Sequence, residues 1–172
     1  MRDPHGHPPL DTCRIIRVLA AYSVDYVLVG GVAARLHGAK RSTSDFDICP
    51  PYNPNNLARL VAALHELQAR FRGIWDELPP VSVESLRRME IATWRTVAGD
   101  VDVLVGIPGV CGLIGYDELR PRAVHKTAFG CDVLVACLMD VIRSKENAKR
   151  AQYQASLDEL YVLSAQQKDR NA

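Results

Sequence analysis

No apolar run in this chain of 172 residues reaches the roughly 20 residues that a membrane-spanning helix needs. An excess of one charge is missing too: 21 Lys and Arg balance 20 Asp and Glu, a formal net charge of +1. No global field therefore points to nucleic acid or to a membrane surface, although basic patches can still form locally. The five cysteines (Cys13, Cys49, Cys111, Cys131, Cys137) include no C-x-x-C pair. That spacing argues against a zinc site, and the odd number fits free, reduced thiols in a cytoplasmic protein. Repeats and low-complexity tracts are absent. No charged-then-apolar leader opens the chain, and residues 1–10, MRDPHGHPPL, read as a flexible arm. What remains is ordinary globular material, 48% apolar and 24% charged, which excludes global disorder. The length predicts a core over residues 11–137 with a C-terminal helical part, 138–172, packed on it.

The periodicities predict the elements. DTCRIIRVLAAY (11–22) sets Ile15, Ile16, Leu19 and Tyr22 on one helical face behind a capping Asp or Thr. DYVLV (25–29) reads as a strand ending at Gly30-Gly31, and VAARLHG (32–38) as a short helix stopped by Gly38. A polar loop, AKRSTS, leads to the strand DFDIC (45–49), which Pro50-Pro51 end. From Asn53, NPNNLARLVAALHELQARF (53–71) reads as a helix, opened by a capping Asn and Pro54, with Leu57, Leu60, Val61, Leu64 and Leu67 at helical spacing. DELPPVSVESLRRM reads as a loop with about one helical turn. IATWRTV and DVDVLVG read as strands joined by the turn Ala98-Gly99. IPGVCGLIG reads as a Gly-rich loop, YDELRPRA as a short helix, and AVHKTAFG with CDVLVA as a hairpin. The tail from Leu138 reads as helix, kinked or split near 152–155. The expected class is α/β (α+β): a small mixed sheet with flanking helices and a helical C-terminal part.

The chemistry concentrates in KRSTSDFDICPP. Strand side chains alternate, so Asp45 and Asp47 share one face, about 7 Å apart, while Phe46 and Ile48 share the other. Two half-buried carboxylates that close repel each other unless a cation sits beside them. A second acidic strand, GDVDVLVG, offers Asp102 as a third ligand. Asp100 shares its face, at the strand entrance where solvated turn residues are common. Such carboxylates suit hard divalent ions, above all Mg2+, and two such ions can activate an attacking hydroxyl and stabilise leaving pyrophosphate. Upstream, Gly30-Gly31 lets a phosphate approach backbone N–H groups at a helix start. Arg41, Thr43 and Ser44 complete a triphosphate-and-metal pattern. A D-x-D strand is also common on a plain solvated face, and Trp75 and Trp94 are candidates for stacking on a base or for the core.

YVLVGGVAARLHGAKRSTSDFDI resembles the signature of the nucleotidyltransferase superfamily that includes DNA polymerase β: a strand, Gly-Gly, a short helix, then a D-x-D strand. The Arg-x-Thr-x-Asp-x-Asp variant is most similar to the AbiEii-type and MenT-type toxin branch. The resemblance covers residues 25–49 tightly and the strand of Asp102 more loosely. It implies the nucleotidyltransferase fold and NMP transfer from an NTP to an acceptor hydroxyl. Gly30 and Gly31 would hold the phosphates, and Asp45 and Asp47 would bind Mg2+. Asp102 would take a proton from the hydroxyl or hold a second ion. The tail CDVLVACLMDVIRSKENAKRAQYQASLDEL resembles the branch's C-terminal helix, with Asp140, Lys145, Arg150 and Asp158. Of these, Lys145 and Arg150 would face the nucleotide and Asp158 would assist catalysis, although it lies further along than the pattern and Tyr153 replaces an acidic residue. Implied partners are a tRNA 3′ end or another RNA and a cognate antitoxin. Arg35, Lys40, Arg41, Lys126, Arg143, Lys145, Lys149 and Arg150 are the cations available for RNA. Two alternatives remain open. One is transfer to a small molecule or protein, for which a chain this short offers little material for an extra pocket. The other is a non-catalytic nucleotide-binding or antitoxin-like module.

Overall fold

The computed structural model describes residues 8–72, 80–148 and 153–170. Helix α1 (Thr12–Ala21) starts where the Asp11 carboxylate accepts the Arg14 N–H at 3.0 Å, and it buries Ile15, Ile16 and Leu19. Helix α3 (Pro54–Glu66) starts where Asn53 accepts the Asn56 N–H at 2.9 Å, and it buries Leu57, Leu60 and Leu64. Asn56 itself is fully buried. Its Oδ1 accepts from the Asp25 N–H at 2.8 Å and its Nδ2 donates to the Asp25 carbonyl at 2.9 Å. That pair of bonds pins the entry to the first strand onto α3 and satisfies both ends of the buried Asn56 amide.

Seven strands form one mixed sheet in the order β3-β4-β5-β2-β1-β9-β8. They are β1 (Val27–Leu28), β2 (Asp45–Cys49), β3 (Arg70–Phe71), β4 (Ile91–Thr96), β5 (Gly99–Leu104), β8 (Val124–Ala128) and β9 (Cys131–Val135). Strand β2 runs parallel to β5 and antiparallel to β1, and β1 runs parallel to β9. The core lies where Phe46 and Ile48 of β2 meet Val101 and Val103 of β5, with Trp94 of β4 buried edge-on to Phe71. Helix α2 (Gly30–Leu36) follows β1 directly and packs on β2, and α6 (Leu138–Asn147) packs on α2. Helix α7 (Gln154–Arg170) packs on α6. Among the described residues no helix is long and apolar enough to cross a membrane. All five cysteines are free thiols.

Several expectations change. IPGVCGLIG is a β-hairpin, β6 (Gly106–Gly109) and β7 (Gly112–Gly115), with α5 (Tyr116–Leu119) after it. Its glycines read as loop, yet a Cβ at Gly109 would overlap the Ile114 side chain. The glycines there permit close strand pairing. The helix from Asn53 stops at Glu66, because Gln68 adopts φ +53 and the chain turns into β3. Residues 83–88 form a full helix, α4 (Val83–Arg88), opened by a Ser82/Ser85 capping box. Asp100 is not a solvated turn residue. Strand β5 begins at Gly99, which leaves Asp100 only 7% exposed.

Candidate active site

Parallel pairing of β2 with β5 sets Asp45 opposite Asp100 and Asp47 opposite Asp102. Phe46 and Ile48 are drawn into the core, so both β2 carboxylates must point to the other face. The outcome is a cluster in which one carboxylate oxygen each from Asp45, Asp47 and Asp102 lies within 4.8 Å of the others.

The glycine pair shapes this cluster directly. Gly30 and Gly31 are the first residues of α2, and Gly30 has φ +65. A methyl group on Gly30 would overlap the Asp47 carboxylate, and one on Gly31 would overlap the Thr43 hydroxyl. The two missing Cβ atoms therefore leave seats for Asp47 and Thr43. The Gly31 N–H donates to the Asp47 carboxylate. Thr43 Oγ1 donates to Asp45 Oδ1 at 2.8 Å. Thr43, expected beside the nucleotide, thus touches a candidate metal ligand.

Burial pushes Asp47 up to about 7, with repulsion from Asp45 and Asp102 adding to it against the Gly31 N–H and Lys145. Burial also pushes Asp102 up to about 6, and Arg72 opposes the rise. Asp102 Oδ1 is buried and makes no hydrogen bond. Clustered carboxylates that raise one another's pKa, with a buried oxygen left unmatched, fit a hard divalent cation held through oxygen. Lys145 is lowered by burial, with Arg41 acting in the same sense and Asp47 and Asp45 against it.

A cleft of about 400 Å³ surrounds the cluster. Gly30, Gly31, Arg41, Thr43, Ser44 and Lys145 all line it. Lys145 Nζ lies 4.4 Å from the centre of the Tyr153 ring, which also lines the cleft. Ile91, Leu104, Ile107 and Pro108 add an apolar part to the lining. The loop carrying Arg41 is tied to α7 where the Lys40 N–H donates to Glu159 Oε1 at 2.6 Å.

Other expected residues lie elsewhere. Asp158 is exposed on α7, 3.5 Å from Gln154, and does not line the cleft. Its offset along α7 places it outside, whereas Tyr153 and Ser156 of the same segment face in. Asp140 is fully buried and paired with Arg122 at 3.0 and 3.2 Å. Trp94 sits in the core, out of reach of a base. His37 follows α2 beside Gly38, as its place in VAARLHG predicts, with its Nε2 donating to the Ala136 carbonyl at 2.8 Å. Lys149, Arg150 and Trp75 fall outside the described residues. One residue escaped the sequence reading. Arg72, just past the edge strand β3, bonds Asp100 Oδ2 at 2.5 Å and lies 3.7 Å from Asp102 Oδ1. Nothing local marks it, because strand pairing through β4 brings it there.

No protein-family model matches the chain, and no curated protein matches it in sequence. Solved structures do. The chain is similar to the crystal structure of ANT(2'')-Ia in complex with adenylyl-2''-tobramycin, at TM-score 0.53 and 14% identity over 92% of this chain and 95% of that one. It is also similar to the solution structure of ANT(2'')-Ia, an antibiotic-resistance factor with substrate-regulated conformation dynamics, at TM-score 0.52 and 13% identity over 92% and 89% of the two chains. A Thermotoga maritima protein assigned to the nucleotidyltransferases matches at TM-score 0.45 and 15% identity, over 98% of this chain and 97% of that one. The chain has the nucleotidyltransferase fold.

Proposed function

We propose that the protein is a nucleotidyltransferase that moves NMP from an NTP to an acceptor hydroxyl. The observation that carries this is the meeting of Asp45, Asp47 and Asp102 with Gly30-Gly31 and Lys145 in one cleft. Asp45, Asp47 and Asp102 would hold Mg2+, in one ion or two, which when bound supplies neutralisation of phosphate charge. The start of α2 and Lys145 bind and orient the triphosphate. Asp102, on the β5 side, receives the proton of the acceptor hydroxyl. The acceptor oxygen forms a bond to the α-phosphorus, the bond from that phosphorus to the α–β bridging oxygen breaks, and pyrophosphate leaves.

For the acceptor we favour RNA, with a tRNA 3′ end foremost and the protein acting in the cytoplasm as a toxin restrained by an antitoxin. Arg41 lines the cleft, the exposed cations Arg35 and Lys40 flank its loop in the sequence, and Lys126 lies close enough to His37 at the end of α2 to repel its proton. Such a rim suits a phosphate backbone. A small-molecule acceptor is the second reading, favoured by the extent of the match to ANT(2'')-Ia. The rim weighs against a polycationic acceptor, which the same cations would repel.

Incubation with each labelled NTP, Mg2+ and total tRNA tests the first reading, and parallel reactions with aminoglycosides test the second. Label on tRNA, lost in Asp45→Ala/Asp47→Ala, supports it. Label on neither acceptor, with a working control enzyme, refutes nucleotidyl transfer to both. Growth arrest on expression that survives the double substitution refutes catalytic toxicity.

A further inference from the structure

Arg72 has no assigned part in the reaction, yet it is the cation that pairs with Asp102 among the described residues. One guanidinium nitrogen is held by Asp100 Oδ2 at 2.5 Å, and the other stands 3.7 Å from Asp102 Oδ1. Asp100 is 7% exposed, and Arg95 approaches its other oxygen at 3.6 Å, so the carboxylate that holds Arg72 is itself fixed on two sides. The Arg72 side chain is 36% exposed and stays at the edge of the cluster. Its charge is therefore clamped beside Asp102 without closing a hydrogen bond to Oδ1, which remains unmatched and buried. An arginine free to choose would take both oxygens of one carboxylate in a fork. Here the fork is divided between two carboxylates.

We propose that Arg72 is a positioning residue: a counter-cation tethered by Asp100, which shares the Asp102 carboxylate with the metal ion and so weakens metal binding to the Asp45, Asp47 and Asp102 cluster. The inference rests on the reading of that cluster as a metal site. Two like charges on one carboxylate repel, so Arg72 holds the metal-free cluster together and also limits how tightly the ion is kept. Asp100 decides how close the guanidinium comes. Without its grip, Arg72 is free to swing onto Asp102 and compete fully.

The sign of the effect separates this role from mere support of the fold. At effective dielectric constants between those of protein and water, removing one positive charge several ångströms from a divalent ion tightens its binding roughly five- to tenfold. Mn2+ binding is measured by calorimetry at pH 8 and low salt, with a thermal melt of each variant in EDTA. Arg72→Met is expected to bind Mn2+ roughly five- to tenfold more tightly than the unsubstituted protein. Arg72→Lys keeps the charge and stays within about threefold. Asp100→Asn releases Arg72 and removes a negative charge, and binds at least about fivefold more weakly, while Arg72→Met/Asp100→Asn recovers most of that loss. A structural role would instead weaken Mn2+ binding in all three variants. If Arg72→Met does not fold, Arg72→Gln, which removes the charge and keeps hydrogen-bonding groups, takes its place: Mn2+ binding equal to or weaker than that of the unsubstituted protein overturns the inference. Absence of Mn2+ binding to the unsubstituted protein overturns the metal site and this inference with it. Mn2+ binding that Arg72→Met leaves equal or weaker overturns this inference alone.

Discussion

Replacing Asp47 by Asn should make the metal-free protein more stable at pH 8 and destroy its response to metal. Asp47 titrates at about 7 in the folded chain against an ordinary value of 3.8. Its folded value is raised, so the folded state binds the extra proton between those two values, and stability falls as pH climbs through that window. Above pH 7 the loss is complete, and the interval corresponds to ~4 kcal/mol as an upper bound. The Asn amide removes that penalty and can donate to the Asp45 and Asp102 carboxylates, but burying it costs about 2 kcal/mol. A net gain of ~2 kcal/mol remains at pH 8, or about 4–8 °C in Tm for a chain of this length. At pH 5 the unsubstituted Asp47 is already protonated in the folded state, most of the penalty has gone, and the gain should vanish. Thermal melts in EDTA at the two pH values measure this. Titration with Mg2+ or Mn2+ should then raise the Tm of the unsubstituted protein, by about 2.7 kcal/mol of stability at a hundredfold excess over Kd, and leave the variant nearly unmoved. A variant that melts below the unsubstituted protein at pH 8, or shows the same offset at both pH values, would refute the account of Asp47 as a carboxylate strained by burial and by its neighbours.

Three further outcomes follow from the same geometry. Thr43→Val keeps the shape in the Gly31 seat but removes the hydroxyl that fixes Asp45, so Mn2+ binding should weaken by about 1.5–3 kcal/mol while Thr43→Ser stays near the unsubstituted protein; equal binding in Val and Ser would dismiss the hydrogen bond. Lys145→Met should lower label transfer at least about tenfold by raising KM for the NTP, with the fold intact by circular dichroism; an unchanged KM would remove Lys145 from the nucleotide. Arg122→Met leaves the fully buried Asp140 without its partner, and because Arg122 is itself half-exposed the loss should be about 2–3 kcal/mol, read as a lower urea midpoint with transfer retained in native buffer.

The carboxylate face of β2 was legible because alternation in DFDIC is a local property: Phe46 and Ile48 had to enter the core, and Asp45 and Asp47 had to leave it. Asp102 was legible for the same reason, and the β2–β5 register then sets it opposite Asp47. Asp100 was misread because its exposure depends on which strands flank β5, and that is a tertiary matter. Arg72 was invisible for a related reason: a two-residue strand, β3, carries no periodicity, and its approach to Asp100 and Asp102 runs through β4. The β6–β7 hairpin was hidden by its own glycines, which signal a loop locally but serve close pairing here. Asp158 shows the opposite failure, where a motif position transferred by resemblance ignores the rotation that turns Tyr153 and Ser156 inward instead.

The seats left by Gly30 and Gly31 have a thermodynamic consequence for any ligand that enters the cleft. Asp47 and Thr43 fill those hollows as the chain folds, so their rotamers are fixed by excluded volume before a ligand arrives. The entropy of ordering them is a cost of folding and not of binding. A cation or nucleotide then meets a preorganised site, and its affinity reports contacts made rather than side chains frozen.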